Sequence, residues 1–337
     1  MSTPREDDLH MPAEWEPHRI TLMEWPTTTR TELWGDLFDS AKADFAAMAN
    51  AVAAFEPVLM VVDPPQAAEA RRLCGEGVDI LGIPIDDSWM RDNGPIFVVD
   101  GHGGVALVHF EFNSWGEKYL PYARDAEVPR RIAEHLGMRR YEAPMVLEGG
   151  SFFVDGEGTL LTTEQCLLHP NRNPGMTRDQ IERTLGDYLG IDHVIWLGEG
   201  HPLDRDTDGH IDGIAQYLRP GVIMLDAPAD PSDPNHAPAQ ENLARLRDAH
   251  DAAGRPIEVV VFEAGTPSST AYLNHYLVNG GVIVPADGEA SDGAALEQLR
   301  AAYPDREVVT VPGRTILEGG GGPHCITQQV PEGEYAR

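Results

Sequence analysis

The chain has 337 residues, enough to bury one large core or two ordinary ones. Its 55 Asp and Glu against 25 Lys and Arg give a formal charge of -30, which repels phosphate backbones and anionic membranes and leaves neither as an expected partner. No apolar run reaches the length of a bilayer span, "MSTPREDDLHMPAEW" lacks the apolar stretch of a signal peptide, and three scattered cysteines make no disulfide framework, so a cytoplasmic location is expected.

Five segments carry helical periodicity, and a short β-branched run soon follows each. Phe38, Phe45, Met48, Val52 and Phe55 share one helix face ahead of "VLMVV" at 58–62. Val128, Ile132 and Leu136 do the same before a cap at Gly137, with "PMVL" following at 144–147. Thr177 to Gln180 reads as a capping box ahead of Ile181, Leu185 and Leu189, with Gly190 as the stop and "HVIWL" at 193–197 beyond it. Leu243 and Leu246 mark a fourth helix ending near Gly254, before "IEVVVF" at 257–262. Leu296, Leu299 and Tyr303 mark a fifth, before "REVVTV" at 306–311. Polar loops and further strands such as "PIFVV", "SFFV" and "GVIVP" fill the intervals, and the Pro- and Asp-rich 225–238 reads as a surface loop.

Two echoes tie these units together. "FVVDGHG" from 97 returns as "FFVDGEG" from 152, and "VLEGG" from 146 returns as "ILEGG" from 316. Those spacings fit a repeat of about 57 residues counted once and three times. The expected architecture is therefore α/β: one domain over 1–337, built from five repeats of mixed ββαβ type that close into a ring around a central cavity.

Three acid-rich segments precede a cysteine set in glycines, "GGGGPHCITQQ" at 319–329. In the first, "DDSWMRDNGP" at 86–95, an extended backbone would put Ser88, Met90 and Asp92 on one face and Trp89 and Arg91 on the other. Taken alone, Asp92 reads first as half of a salt bridge to a neighbouring arginine and only second as a site residue. In the second, "LEGGSFFVDG" at 147–156, Glu148 stands before two glycines and either opens a turn or serves a site. In the third, "DTDGHIDGIAQYL" at 206–218, a strand would turn Asp208, His210 and Asp212 to one side. A histidine between carboxylates is held as imidazolium and can exchange protons near neutral pH, although the same alternation, with His201 and Asp204 upstream, is also metal-ligand spacing.

Carboxylates around a thiol raise its pKa and spoil it as a general nucleophile, unless the substrate itself brings positive charge. A guanidinium does so: its nitrogens pair with carboxylates and its carbon is presented to sulfur. His324 adjoins Cys325, so in extended backbone the two side chains point apart, and His210 is the better proton partner.

The stretches "MPAEWEPH", "MEWP", "DDSWMRDNGP", "NSWGEKY", "LEGGSFFVDGEGTLLTTEQCLL", "NRNPG", "TDGHIDG" and "GGGGPHCITQQ" closely resemble the agmatine deiminase family, in order, from about residue 11 to 331. That family belongs to the guanidine-modifying enzymes of the five-bladed α/β-propeller, or pentein, fold. The resemblance implies that Cys325 is the nucleophile, His210 the acid and base, Asp92 and Asp212 a clamp on the guanidinium, and Glu148 a support for His210 or the substrate. It implies no cofactor and no metal. Departures occur at Gly322-Pro323, where Asn-Ile is usual, at Ala271 and His275 in "STAYLNHY", and at His169. They bear on substrate choice, not on reaction type.

The expected reaction is hydrolysis of a guanidine C–N bond through a thioether on Cys325, giving N-carbamoylputrescine and ammonia if the substrate is agmatine. Asp86, Trp89 and Asp208 are the added candidates for binding a small cationic substrate, with Trp89 covering its methylene chain or facing its charge. Four alternatives stay open: amidino transfer to an amine, deimination of a longer guanidinoalkylamine or an arginine derivative, a metal-dependent ureohydrolase built on the His/Asp cluster, and a silent guanidine-binding module. A homo-oligomer stays open as well.

Overall fold

The periodic segments form helices for the reasons their sequences give. In a computed structural model of the chain, which describes residues 2–263 and 271–336, Phe38–Ala53 is helical and buries Phe45, Met48 and Val52 along one face. Val128–Leu136 carries Pro129 in its first turn and stops at Gly137, whose φ of 64° favours glycine. Arg178–Leu189 opens on the Thr177–Gln180 capping box and stops at Gly190 in the same left-handed conformation. His236–Asp248 and Asp292–Ala302 complete the five. The fourth helix ends earlier than its periodicity predicts. Ala249 turns extended, and its carbonyl accepts from Ile257 N–H at 3.1 Å, which diverts the chain before Gly254.

Among the described residues the strands assemble into five separate sheets with a common plan. In each, an antiparallel pair is followed by a helix and then by a third strand running parallel to the second. Ile96–Val99 pairs with Gly104–Glu111, which then pairs with Arg140–Val146. Phe152–Val154, Thr159–Thr163 and His193–Leu197 repeat the order. So do Ala215–Arg219, Val222–Asp226 and Glu258–Phe262. Tyr276–Val278, Gly281–Pro285 and Glu307–Val311 follow. The remaining sheet is assembled from distant parts of the chain: Thr327–Pro331 lies antiparallel to His18–Glu24, which is parallel to Val58–Val62.

Both sequence echoes fall at equivalent points of this plan. Asp100 accepts from the backbone N–H of His102 and Gly104, and Asp155 from those of Glu157 and Thr159, so each "VDG" motif makes the same side-chain-closed hairpin. "VLEGG" and "ILEGG" each lie between a parallel third strand and the first strand of the next sheet. One unit was not legible. Ala67–Leu73 is a short helix, and Val78–Gly82 adds a fourth strand to the sheet of Val58–Val62, in a stretch read as polar loop. Seven residues are too few to display a helical period, and "VDILG" does not alternate cleanly.

Side chains between sheets and helices are fully buried, Trp25, Phe45, Tyr217 and Tyr276 among the largest. Among the described residues no helix is long and apolar enough to cross a membrane.

Candidate active site

The connections between sheets bring the acid-rich segments to Cys325. Its Sγ lies 3.5 Å from Asp212 Oδ2 and 3.2 Å from Asn274 Nδ2, with the thiol buried. Asn274 holds this loop from behind, accepting through Oδ1 from the backbone N–H of His324 at 3.0 Å and of Cys325 at 3.3 Å. Burial pushes the Cys325 thiol well above its ordinary value, and the charges of Asp212 and Asp92 push it further.

The glycine run before Cys325 has a steric cause. A Cβ at Gly321 would stand 2.4 Å from the Trp89 ring and 3.1 Å from Cys325 Sγ, so only glycine lets the indole and the thiol face one space. Gly150 serves the other side: a Cβ there would come within 2.7 Å of His210 Nδ1 and 2.8 Å of Asp92 Oδ1.

His210 is buried with its ring between two carboxylates. Nδ1 is 3.8 Å from Asp92 Oδ1 and Nε2 is 3.8 Å from Glu148 Oε2, both too long for hydrogen bonds. Burial alone would lower its pKa, but the charge of Asp92, helped by Cys166 and Glu148, holds it well above the usual imidazole range. Asp92 accepts from Trp115 Nε1 at 2.9 Å and from Gly150 N–H at 3.0 Å. Burial raises Asp92 to about 6 against the pull of His210, with Asp212 and Glu148 adding to the rise. Glu148 keeps its charge despite burial because the Arg172 guanidinium donates to Oε1 at 2.6 Å.

The backbone around these side chains departs from the alternation expected of it. Met90–Asn93 is a single helical turn, which brings Trp89 and Asp92 to the same small cavity instead of opposite faces. The chain around His210 is no strand either. Asp208 adopts φ of 62°, Gly209 follows at 91°, and Ile211–Gly213 is a short 3-10 turn. His210 and Asp212 therefore reach the thiol region while Asp208 turns away. Its carboxylate is taken by Lys118 Nζ at 2.7 Å, Asn171 Nδ2 at 2.9 Å and Arg172 Nη1 at 2.7 Å. Asp86 also stands apart, accepting from Arg124 N–H at 2.9 Å and pairing with its guanidinium. Neither Asp208 nor Asp86 lines a cavity at Cys325. Asp204 closes its own loop by accepting from the N–H groups of Asp206, Thr207 and Gly209, so it does not join His210 as a metal ligand.

Sequence reasoning missed Glu14, Trp115, Arg172 and Asn274, and gave His324 no part. His324 Nδ1 lies 2.9 Å from Asp212 Oδ2 and its Nε2 lies 2.9 Å from Glu14 Oε2. Burial and Arg91 oppose its charge, yet Glu14 and Asp212 raise its pKa. Trp115 and Arg172 sit inside quoted motifs, "NSWGEKY" and "NRNPG", so their signal was present without a partner to interpret it.

Cys325 opens on a cavity of about 430 Å3, lined also by Asp206, His210, Asp212, Asp226, Asp233 and Asn274. A smaller cavity on its other side is lined by Asp87, Trp89, Asp92, Trp115 and Tyr119. No Lys or Arg lines either one among the described residues. The loop 225–238, expected on the surface, contributes Asp226, Pro228, Asp233 and Asn235 to the larger cavity. Of the departures, Ala271 lines that cavity, and Gly322 abuts Asn274, where a Cβ would meet Oδ1 at 2.5 Å. His275 is buried between the Tyr272 carbonyl and the Tyr303 hydroxyl, and burial lowers it to about 4. His169 bonds Asn171 and touches neither cavity. Ser269 and Thr270, which open "STAYLNHY", lie outside the described residues.

Residues 10–331 match the Porphyromonas-type peptidyl-arginine deiminase family. The agmatine deiminase of Stutzerimonas stutzeri strain A1501 is 44% identical over 98% of this chain and 97% of its own. The structure of the Enterococcus faecalis agmatine deiminase superposes with a TM-score of 0.95 at 35% identity, covering 98% of both chains. DDAH from Pseudomonas aeruginosa, at 15% identity and a TM-score of 0.50 over 93% of this chain and all of its own, shares only the α/β fold. The chain belongs to the Porphyromonas-type peptidyl-arginine deiminase family and stands within it beside the agmatine deiminases.

Proposed function

We propose that this chain hydrolyses agmatine to N-carbamoylputrescine and ammonia. The observation that carries the reading is the charge of the space around Cys325: carboxylates on both sides and no basic side chain among the described lining residues. The sequence at 264–270, "AGTPSST", holds no Lys or Arg either. Agmatine carries a guanidinium at one end and an ammonium at the other, so both ends find acids. Arginine would bring an α-carboxylate with no cation to meet it, and an unpaired carboxylate in such a space costs several kcal/mol.

In the reaction Asp92 and Asp212 hold the guanidinium, whose positive charge offsets theirs and lowers the thiol pKa. Cys325 loses its proton to solvent as the substrate binds, and its thiolate attacks the guanidinium carbon. His210, as imidazolium, gives its proton to the amine that departs as ammonia and leaves a cationic amidino-thioether. Water then attacks that carbon with His210 as base. The tetrahedral adduct collapses to the urea, the thiolate is released, and the hydroxyl proton goes to the ammonia. Glu148, fixed by Arg172, orients His210 in this account. Trp89 flanks the methylene chain. Asp208 and Asp86 take no direct part, and we assign them to anchoring Arg172 and the 122–125 turn.

We read the five sheets as the blades of one propeller and the whole chain as a single catalytic domain. The shared strand plan and the pairing of Thr327–Pro331 with His18–Glu24 support that reading. Substrate choice is tested by kcat/KM on agmatine, arginine, arginine peptides and longer guanidinoalkylamines. Agmatine should exceed arginine at least about a hundredfold, roughly 2.7 kcal/mol of transition-state discrimination. Arginine ahead of agmatine would overturn the electrostatic argument. A longer amine ahead would move the substrate and keep the chemistry, with Ala271 as the place where the cavity admits it.

A further inference from the structure

Behind the His210 ring lies a second thiol that the proposed reaction does not use. Cys166 Sγ, a ring nitrogen of His210 and a carboxylate oxygen of Glu148 all lie within 4.8 Å of one another, and all three residues are buried. Two of these donors have no other engagement: His210 Nε2 and Glu148 Oε2 are fully buried and without a hydrogen-bond partner. Other contacts hold both side chains in place. Arg172 takes the opposite oxygen of Glu148 at 2.6 Å, which aims Oε2 at the ring. Asp92 faces the opposite nitrogen of His210, 3.8 Å from Nδ1. Cys166 is set by its helical turn, where its N–H donates to Thr163 Oγ1 at 3.2 Å.

We propose that Glu148, Cys166 and His210 form a binding site for a borderline-soft divalent cation such as Zn2+, and that occupancy switches the enzyme off. One sulfur, one imidazole nitrogen and one carboxylate oxygen are a zinc donor set, with a fourth position left for water. Tetrahedral coordination needs donor separations of about 3.3–3.7 Å. The Nε2–Oε2 distance is already 3.8 Å, and the three donors lie within 4.8 Å of one another, so binding draws them in by about 1 Å or less. Asp92 supplies the outer carboxylate that metal-bound histidines commonly face through their second nitrogen. Binding forms the Cys166 sulfur, His210 Nε2 and Glu148 Oε2 bonds to the metal, and the protons of the thiol and of Nε2 leave to solvent. His210 then has no Nε2 proton to exchange. The inhibition rests on the acid–base role given to His210 above; the binding does not.

Binding is measured by titrating the metal-stripped enzyme with Zn2+ against a chromophoric chelator, and separately by the thiolate-to-metal charge-transfer absorption with Co2+. The expected result is one ion per chain and inhibition over the same range of free Zn2+, reversed by EDTA. Cys166→Ser should weaken Zn2+ binding at least tenfold and remove the charge-transfer band. His210→Gln should weaken binding comparably, and Cys325→Ser should leave binding within about twofold with the band retained. Circular dichroism and urea midpoints verify that each variant is folded. Binding lost with Cys325→Ser but kept with Cys166→Ser would put the metal on the nucleophile and overturn the proposal, as would the absence of tight binding to wild type. Intact binding at Cys166 without inhibition would instead refute the role of His210.

Discussion

One carboxylate oxygen, Asp212 Oδ2, lies 2.9 Å from His324 Nδ1 and 3.5 Å from Cys325 Sγ. The histidine next to the thiol in sequence thus acts on it only through the acid between them. Burial alone would raise the Asp212 carboxyl, but the His324 imidazolium and the charge of His210 hold it below the usual range. That keeps Asp212 ionised and ready for a cationic substrate.

Removing the His324 charge should therefore weaken the clamp. His324→Gln lets the Asp212 pKa rise, so the acid limb of kcat/KM moves to higher pH. At pH 7 we expect a loss of at least about tenfold, equivalent to ~1.4 kcal/mol, with partial recovery at pH 9. A profile superimposable on wild type would show that His324 has no such role.

The acid limb of wild-type kcat/KM should fall near pH 6, because Asp92 must be ionised and its carboxyl stands at about 6. The same shift has a stability sign. A carboxyl raised above its unfolded value of about 3.9 contributes most below that value, and its contribution is lost as pH rises through the folded pKa near 6. Asp92→Asn should accordingly improve thermal stability relative to wild type more at pH 8 than at pH 4, while lowering kcat/KM at least about a hundredfold. A Tm difference that does not grow with pH would count against the burial of charge at this position.

Cys325→Ala should abolish turnover and Cys74→Ala should leave most of it. Cys74 is buried, its thiol pushed up to about 11 by that burial, and it lines neither cavity at Cys325. Electrophiles give a finer test. The thiol is held protonated by the acids around it, so a neutral alkylator such as chloroacetamide should react slowly. Its cationic isostere chloroacetamidine should label Cys325 at least about a hundredfold faster, since its charge offsets theirs. Mass spectrometry of the labelled peptide reads the site. Asp92→Asn should erase most of the advantage; equal rates for both reagents in wild type would remove the case for substrate-supplied charge.

Arg172 bridges Glu148 and Asp208, and its side chain is fully buried. Arg172→Gln leaves Glu148 buried without the guanidinium that offsets its charge, at a cost of about 3–5 kcal/mol in urea unfolding. Adding Glu148→Gln should return part of that stability without returning activity. Additive losses in the double variant would argue that the two residues do not form an energetic pair.

The helices and third strands were legible because packing enforces their patterns. Thr177 and Gln180 form the capping box they spell, and "HVIWL" is a strand over the same five residues. Cys325, His210, Asp92, Asp212 and Glu148, singled out by type and motif, are brought together by the fold. The conformations that aim them were not legible. Asp208 was assigned to the substrate on the assumption of strand alternation, whereas Gly209 permits a left-handed turn that sends its carboxylate to Arg172. Glu14 and His324 are 310 residues apart, so no local pattern could pair them. Their contact depends on how the sheets come together.

The pairing of Thr327–Pro331 with His18–Glu24 makes one of the earliest strands wait for one of the latest. During synthesis each intervening sheet can pair its antiparallel strands and its parallel third strand as they emerge, but this sheet lacks its antiparallel member until residue 331 has left the ribosome. Cys325 stands two residues before that strand, so its thiol docks against Asn274 and Asp212 in the step that completes the sheet. A chain cut before residue 327 thus holds most of the acids but lacks the strand that fixes the Cys325 loop beside them.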